Sequence, residues 1–380
     1  MRPVPQRVAL LINYITNHQE AAFAEALRWL PNLTFLLSVL VEPQRDYTPE
    51  LTRLDVRIQK TWTIKRKWKH ESGFEDDQNV HFPLDTFAQL RRLKPDVIVS
   101  YELGMRSVMS ALYRLTHRRA RLVLAVFASE HTEKSWSRQR VLMRRWLLRC
   151  ADIVTYQGSS GKRYLETLGV PAAKLRFLPY AAHPSMLYHG PTTREPSVRR
   201  RLLYVGQLTP RKAPLQMLGV LSRWCRSHPD RAIEISMAGR GPLQSAIESA
   251  IYPANLRITM LGSVPPARMP DVFAQHGVMV FPTLADEWGM VVNESLFSGL
   301  PILSSEYAQA TLDLVTEGQN GWRYRPDVGD EFYDAVDRMM QVDIAELDRM
   351  AAKGRMAVAA RTPAYAGERV AEVVRAALEQ

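Results

Sequence analysis

The sequence predicts an α/β fold with two doubly wound, Rossmann-like domains in tandem. Three observations lead to this prediction. The chain has 380 residues, of which 46% are hydrophobic, and this length suits two cores better than one. Short apolar segments rich in β-branched residues alternate with helical patterns, which is typical of βα units and parallel sheets. A proline-rich stretch with few apolar residues separates two such series of segments.

The first series of segments predicts an N-terminal domain over residues 1–185. Helical patterns lie between several of its strands, so we expect one doubly wound sheet. Residues 186–200 follow without periodicity and are predicted to be an interdomain linker. The predicted strands have the sequences RVALLIN, LTFLLSVLV, LDVRIQ, DVIVSY, RLVLAVFA, DIVTYQ and LRFLPY.

The second series predicts a C-terminal domain over residues 201–363, again with helices between its strands. A last amphipathic helix follows in residues 364–380. We expect this helix to pack on one of the two domains, with the N-terminal domain as a candidate. The predicted strands have the sequences RLLYVG, AIEISMAG, LRITMLG, VMVFP, PILSS and GWRY.

The net charge of +11 is distributed unevenly along the chain. Residues 1–190 contain 29 Lys and Arg against 17 Asp and Glu, a net charge of +12, whereas residues 191–380 have a net charge of −1. This asymmetry favours an anionic partner for the first half, either a nucleic acid or a membrane surface, although basic residues can also serve only to solvate that half. No nucleic-acid recognition module is recognisable, so we expect no nucleic-acid partner.

Cysteine content and hydropathy limit the cellular compartments in which the protein is expected. Cys150 and Cys225 are too few for a disulfide framework or a Cys-rich metal site. The first residues lack a signal-peptide cleavage pattern, and no apolar run reaches the roughly 20 residues that a membrane-spanning helix needs. We therefore expect a soluble, cytoplasmic protein.

A turn after the strand RLLYVG is a candidate anion site. The strand continues into QLTPRKAP and then into a helix, for which Pro214 is a suitable first-turn residue. Backbone N–H groups at the helix start, together with Lys212 and Arg211, could hold a diphosphate. The same pattern also occurs in ordinary solvated turns, and this alternative stays open.

The segment DEWGMVVNE, after the strand VMVFP, is a second candidate site because it carries an acid at each end. If a helix begins near Gly289 or Met290, Asp286 lies in the preceding loop and Glu294 lies one turn inside the helix. Carboxylates accept hydrogen bonds from hydroxyl groups, so we expect Glu294 to bind a ribose and Asp286 a sugar. Alternatively, Asp286 caps the helix and Glu294 forms a surface ion pair. Since ligands bind beyond the carboxyl ends of parallel strands, we expect the site in the cleft between the domains.

Several segments between residues 202 and 325 match a known family in order and spacing. These segments resemble the C-terminal domain of the family 4 (group 1) retaining glycosyltransferases, which have the GT-B fold of two Rossmann-like domains facing across a cleft. The first half resembles the family more loosely, mainly in the segment ADIVTYQGSSGKRYLETLGVPAAKLRFLPY. The matching segments of the second half are VGQLTPRKAPLQML, MAGRGPL, LGSVPPARMPDVFAQHGVMVFPTLADEWGMVVNESLFSGLPIL and LVTEGQNGWRY.

The resemblance implies roles for the residues of both candidate sites. The two acids that the family separates by seven residues correspond to Asp286, against the transferred sugar, and Glu294, on the ribose of the nucleotide. Lys212 corresponds to the lysine that binds the donor diphosphate. Gln207 stands where the family commonly has arginine, and Arg211 is a candidate to replace the missing charge.

Further donor-binding residues follow from the same resemblance. Gly289 and Met290 would offer backbone N–H groups to donor oxygens, and Trp288 fills the position of an aromatic residue. Gly206 and Gly239, each in a glycine turn at the end of a strand, belong to the same expected donor site.

Two residues of the first half are further candidates, each after the end of a predicted strand. His131 resembles the histidine that contacts the donor sugar in the family. We therefore expect a catalytic set of Asp286, His131 and Lys212. A single histidine in a loop can equally be a hydrogen-bonded bystander. Glu102 could meet the acceptor.

The implied reaction moves a hexose from a nucleotide-diphosphate sugar, linked to UDP or GDP, to an acceptor hydroxyl with retention at the anomeric carbon. We expect no cofactor and no metal, because the sequence lacks the paired aspartates and the His/Cys clusters of metal sites. Two alternatives remain. One is another GT-B enzyme, such as a nucleotide-sugar epimerase. The other, suggested by Asp286 and Gln207, is a catalytically degenerate nucleotide-sugar-binding protein.

Two basic segments with tryptophans, TWTIKRKWKHES and SRQRVLMRRWLLRC, predict peripheral association with the anionic inner face of the cell membrane. We therefore expect a lipid-linked saccharide or glycolipid as acceptor, as in the assembly of bacterial surface polysaccharides. A merely solvated basic helix is the alternative. The residues concerned are Trp62, Lys65, Arg66, Lys67, Trp68 and Lys69 in the first segment, and Trp136, Arg138, Arg140, Arg144, Arg145, Trp146 and Arg149 in the second.

Overall fold

A computed structural model describes residues 2–42, 51–134 and 137–380, so Trp136 lies outside the described residues. Two compact units are present. Unit 1 comprises the described parts of Met1–Trp68, Asp77–His183 and Arg361–Gln380, and unit 2 comprises Lys69–Asp76 and Pro184–Ala360. Each unit contains a parallel sheet covered by helices, which confirms the predicted α/β fold with two Rossmann-like domains.

The sheet of unit 1 has seven strands in the order β3-β2-β1-β6-β7-β8-β9. All neighbouring strands run parallel, and the central ones are almost completely buried, as expected when helices cover both faces. Each strand lies within a predicted segment, so these seven strand predictions are confirmed. The bounds are Val8–Ile12 for β1, Leu33–Leu37 for β2, Asp55–Ile58 for β3, Val97–Tyr101 for β6, Arg121–Ala125 for β7, Ile153–Tyr156 for β8 and Leu175–Phe177 for β9.

The C-terminal helix α14, Pro363–Leu378, belongs to unit 1 and packs on α1, Asn17–Ala26. Gly367 lies where the two helices approach closely, since a Cβ atom there would meet the carbonyl oxygen of Ala22 at 2.7 Å. Among the described residues, no helix is both long and apolar enough to cross a membrane. The helices of unit 1 are α1 Asn17–Ala26, α2 Thr86–Leu93, α3 Met105–Thr116, α4 Arg138–Cys150, α5 Ser159–Thr167 and α14 Pro363–Leu378.

A separate two-stranded sheet was not predicted from the sequence. It consists of β4, Thr61–Lys69, and β5, Glu75–Pro83. Most β4 side chains are exposed, so the segment lacks the run of buried apolar residues that marks the other strands. The basic residues of this segment are partly balanced by β5, because Lys67 pairs with Asp77 and Lys69 with Glu75, each at 2.7 Å.

The sheet of unit 2 has six parallel strands in the order β12-β11-β10-β13-β14-β15, and all six lie within predicted segments. Apolar side chains from the strands and from the surrounding helices form its core. The strands are β10 Leu202–Val205, β11 Ile233–Ala238, β12 Leu256–Gly262, β13 Val278–Phe281, β14 Ile302–Ser305 and β15 Gly321–Tyr324. The helices are α6 Pro196–Arg199, α7 Pro214–Ser227, α8 Gln244–Ser249, α9 Met269–Ala274, α10 Met290–Phe297, α11 Gln309–Leu314, α12 Glu331–Gln341 and α13 Ile344–Val358.

The segment predicted as a linker, 186–200, contains α6 and is attached to unit 2 through Arg199. This side chain is completely buried. Its Nε donates to Asp348 at 2.8 Å, and its Nη1 donates to the carbonyl oxygens of Gly277 and Gly299 at 3.1 and 3.2 Å. Hydrogen bonds from one buried arginine thus hold the segment on unit 2, and its role as an interdomain linker stays a prediction.

Candidate functional site

Three neighbouring loops at the carboxyl edge of the unit 2 sheet carry most of the predicted site. Gly206 and Gln207 follow β10, Gly239 follows β11, and Asp286 follows β13. Because β10 lies between β11 and β13, these loops are adjacent. The chain reverses its direction of strand addition between β10 and β13, and open α/β sheets bind ligands at such a switch point.

Gly206 and Gly239 allow two of these loops to pack backbone against backbone. Gly239 has φ +146°, and a Cβ atom there would lie 1.9 Å from the carbonyl oxygen of Gly206. Gly206 N donates to the carbonyl of Ala238 at 3.0 Å, and Gly239 N donates to that of Gly262 at 2.7 Å. Both glycines therefore have a packing role, and their predicted contact with a donor stays a prediction.

Lys212 and Asp286 form an ion pair in which both side chains are largely shielded, with exposures of 15% and 17%. Lys212 ends a short 3-10 turn, and the predicted helix start at Pro214 is confirmed. The Lys212 ammonium group also lies 5.2 Å from the centre of the Phe281 ring. The loop after β10 thus places a cation, and the loop after β13 an anion, at the carboxyl edge of the unit 2 sheet.

Arg211 connects the loop of Asp286 to the turn that precedes α7 through hydrogen bonds. Its Nη1 donates to the carbonyl oxygen of Ala285 at 3.1 Å, and its main-chain carbonyl accepts from Leu284 N at 2.8 Å. Its Nε donates to the carboxylate of Asp76 at 2.6 Å. The guanidinium group is therefore already engaged on two sides, and the suggestion that it replaces a charge at Gln207 stays a prediction.

The environment of Asp286 keeps its carboxylate ionised. Burial alone raises the pKa of Asp286. The positive charges of Lys212 and Arg211, with hydrogen bonds from Lys212 and from the Trp288 backbone N–H, outweigh burial and hold the pKa below its ordinary value. A fixed negative charge is therefore present at this edge at neutral pH.

The start of α10 presents unsatisfied N–H groups. Gly289, at φ +95°, is the N-cap, and a Cβ atom there would meet the Phe281 ring at 2.9 Å. The predicted helix start is confirmed, but the alternative in which Asp286 caps the helix is wrong, since no side chain caps it. Within the described ranges, the N–H groups of Met290 and Val291 have no acceptor. Such helix N-termini attract anions.

Trp288 is buried, with 2% of its surface exposed. Its indole N–H donates to the side-chain oxygen of Asn293 at 2.8 Å. The indole ring therefore supports the loop against the first turn of α10. The sequence placed Trp288 among the donor-binding residues, and the structure shows its side chain in the protein interior, where it acts on the shape of the site.

Glu294 is 7% exposed, so the alternative in which it forms a surface ion pair is wrong. Its carboxyl group has no hydrogen-bond or ion-pair partner in the part of the chain that the structure describes. Burial raises the pKa of Glu294 to about 7. A buried carboxyl group without a partner is costly in a purely structural role and is typical of ligand-binding sites.

The first-half candidates lie in unit 1. His131 occupies the turn after β7 and is half-buried, and its contact with a donor sugar stays a prediction. Glu102 follows β6 with φ +66°, an uncommon conformation for this residue type. Its carboxylate accepts from Asn13 Nδ2 at 3.0 Å and from Arg106 Nη2 at 3.4 Å. Asn13 and Arg106 were not predicted from the sequence as neighbours of Glu102. For Arg106, a charged residue on the buried face of α3 could have indicated such a role.

In residues 2–42, 51–134 and 137–380, no group of three or more His, Cys, Asp and Glu side chains could hold a metal ion.

Both halves of the chain match glycosyltransferase domain models. Residues 199–342 match the family described as Glycosyl transferases group 1, and residues 19–181 match the Glycosyl transferase 4-like domain.

The D-inositol 3-phosphate glycosyltransferase of Nocardia farcinica is 26% identical over 164 residues, which cover 41% of this chain and 35% of that protein. A phosphatidylinositol N-acetylglucosaminyltransferase subunit of Saccharomyces cerevisiae is 30% identical over 109 residues, 28% of this chain and 23% of the yeast protein. The alignments thus span about a third or less of these relatives.

Solved structures resemble the chain over almost its whole length. The HepE protein of Anabaena in complex with UDP superimposes with a TM-score of 0.70, covering 97% of this chain and 99% of that protein. Sequence identity is 14%, so this likeness shows the fold alone.

Proposed function

We propose that the chain, whose two halves match two glycosyltransferase domain models, is a group 1 glycosyltransferase that transfers a hexose from a nucleotide-diphosphate sugar to an acceptor hydroxyl. One observation carries this proposal. The Lys212–Asp286 ion pair, the unsatisfied N-terminus of α10 and the unpartnered Glu294 all occur on segments that follow adjacent strands of one sheet. A nucleotide-diphosphate sugar would place its diphosphate at Lys212 and the start of α10, its sugar at Asp286 and its ribose at Glu294.

The departing nucleotide diphosphate gains negative charge in the transition state, so stabilising it lowers the barrier. Lys212 and the N–H groups of Met290 and Val291 would supply this stabilisation. Removing one such charge-assisted contact costs about 3 kcal/mol, roughly a hundredfold in rate. Because cationic and dipolar groups of the chain can serve this purpose, we propose a metal-independent reaction without a cofactor.

The two acids would contact different parts of the donor. We assign Asp286 to the transferred sugar, where a fixed carboxylate favours the positive charge that develops at the anomeric carbon. We assign Glu294 to the ribose hydroxyls, whose O–H groups would donate to its unpartnered oxygens. Retention at the anomeric carbon is part of the proposal and follows from the resemblance to the retaining family.

We propose a lipid-linked saccharide or a glycolipid as acceptor and a peripheral position on the cytoplasmic face of the cell membrane, in the assembly of a surface polysaccharide. The name of the yeast relative, which includes phosphatidylinositol, supports an acceptor of this kind. The basic first half supports the membrane position.

A thermal-shift screen with UDP, GDP, ADP and dTDP and their sugars tests the donor assignment. We expect one nucleotide to raise the melting temperature, and Lys212→Ala and Glu294→Ala to abolish the shift. Lys353→Ala, at an exposed position on α13, is the matched control and should keep it. Equal shifts in all variants would overturn the site, and a shift without transfer to any acceptor would favour a degenerate nucleotide-sugar-binding protein.

A further inference from the structure

A cavity of about 330 Å³ opens beside the C-terminal half of α4 in unit 1. Arg145 and Arg149 line it from α4, and Lys174 lines it from the segment that leads into β9. Leu168 and Pro171 are among the remaining lining residues. The cavity is thus basic on two sides, and most of its other lining residues are apolar.

The positive charges around this cavity are not neutralised by the protein. Neither Arg145 nor Arg149 has a hydrogen-bond or ion-pair partner within the described ranges. Lys174 Nζ donates to the carbonyl oxygen of Ala151 at 2.6 Å, which leaves two of its N–H donors available. Three like charges around one cavity repel each other, and a bound anion would relieve this repulsion.

The acidic residues of the neighbouring elements are engaged elsewhere. Residues 134–151 contain no Asp or Glu. Asp152, which follows α4, pairs with Arg114 at 2.9 Å and with Arg121 at 3.5 Å. Glu166 on α5 lies 3.9 Å from the ammonium group of Lys162. The anion for this cavity must therefore come from outside the chain.

The exposed face of α4 combines arginine with large apolar side chains. Leu142 is 65% exposed and Trp146 38% exposed. Arg138, Arg145 and Arg149 recur on the same face at helical spacing, while the opposite face is buried. A helix face that alternates arginine with leucine and tryptophan suits the boundary between lipid headgroups and acyl chains.

We propose that the cavity and this face of α4 form a docking site for an anionic phospholipid, with the phosphate of one headgroup in the cavity and Leu142 and Trp146 in the bilayer interface. The inference rests on the proposed function and deepens it by naming the surface that meets the membrane. Charge complementarity favours a lipid leaflet over a second copy of the chain, since a two-fold contact through this face would bring arginine against arginine.

Vesicle co-sedimentation of the full chain at physiological ionic strength tests the inference. We expect binding to phosphatidylcholine vesicles that contain phosphatidylglycerol and none to pure phosphatidylcholine. The double variant Arg145→Glu/Arg149→Glu should lower the partition coefficient at least about tenfold. The milder Arg145→Gln/Arg149→Gln should lower it about threefold or more.

A matched control separates this site from the general charge of unit 1. Arg53→Glu/Arg57→Glu makes the same charge change just before and within β3, at the opposite edge of the sheet from β9, and should leave vesicle binding within about twofold. Equal losses in both double variants, or no loss in either, would overturn the docking site.

Two further measurements distinguish other occupants of the cavity and of the exposed face of α4. Binding of glycerol 3-phosphate to the cavity without any vesicle binding would assign it to a free phosphate ester and overturn the lipid source. A dimer detected by light scattering and lost in Arg145→Glu would assign the face to a second copy. The nucleotide-induced thermal shift should persist in all these variants, so failure of vesicle binding alone counts against the docking site and not against the donor site.

Discussion

Lys212 and Asp286 form an ion pair across 74 residues of sequence, because they follow the adjacent strands β10 and β13. Without a donor, the lysine that would bind a diphosphate is thus neutralised by the acid that would contact the sugar. A bound diphosphate adds a second anion next to Lys212, so the two acidic groups compete for one cation. This competition gives opposite expectations for variants of the two residues.

Asp286→Asn should separate binding from turnover. Removal of the competing charge lowers the cost of moving Lys212 to the diphosphate, so the affinity for the nucleotide diphosphate should stay equal or rise several-fold. Transfer should fall about a hundredfold or more, because the fixed negative charge at the sugar is lost. Calorimetric titration and a product assay measure the two effects. Asp271→Asn, in an exposed ion pair on α9, is the control and should change neither. A nucleotide affinity more than about tenfold weaker in Asp286→Asn would contradict the competition.

Lys212→Met should lower both nucleotide affinity and stability. The buried Asp286 carboxylate loses its closest cation, and leaving a shielded charge without its partner costs about 1–3 kcal/mol. The double variant Lys212→Met/Asp286→Asn should regain most of this loss, because neither charge remains. Urea unfolding of the single and double variants measures the coupling. Purely additive losses would show that the ion pair contributes nothing to stability.

Glu294 should make stability depend on pH. Its pKa is raised from 4.5 to about 7 by burial, so the folded protein binds the proton more tightly than the unfolded chain. The contribution of a neutral Glu294 is fully present below pH 4.5, and it is lost as the pH rises through about 7. Glu294→Gln should therefore stabilise the ligand-free protein by up to about 3 kcal/mol near pH 8 and by almost nothing near pH 4. Thermal melting across this range checks the difference, and a pH-independent difference would contradict it.

Gly239→Ala should destabilise unit 2 severely. The new Cβ atom would lie 1.9 Å from the Gly206 carbonyl oxygen, in a backbone conformation that alanine rarely adopts. We expect a loss of about 3 kcal/mol or more. Gly329→Ala is the control, since Gly329 also has positive φ but open space around its Cβ position, and it should cost about 1 kcal/mol. Equal losses in urea unfolding would mean that strain, and not the contact between the loops, determines the cost.

The sequence was sufficient for the parallel sheets because their strands are short, buried runs of β-branched residues. The exposed strands β4 and β5 carry no such run and were missed. The attachment of the predicted linker to unit 2 could not be predicted for a related reason. Arg199 holds it through hydrogen bonds to residues far away in the chain, and such partners leave no local pattern in the sequence.

The candidate site was predictable in its composition but not in its internal contacts. Strand ends and spacing placed Asp286, Glu294 and Lys212 at one edge of one sheet. Whether an acid is paired or isolated depends on three-dimensional neighbours, so the pairing of Asp286 and the isolation of Glu294 appear only in the structure. The inward position of Trp288 is likewise a packing outcome.

Calorimetric titration with the nucleotide-diphosphate sugar selected by the screen tests the central claim most directly. We predict micromolar-range binding to the parent protein and to Lys353→Ala, and binding weakened about a hundredfold in Lys212→Ala and in Glu294→Ala. Undiminished binding in both site variants would contradict the assignment of the donor site to this edge of unit 2.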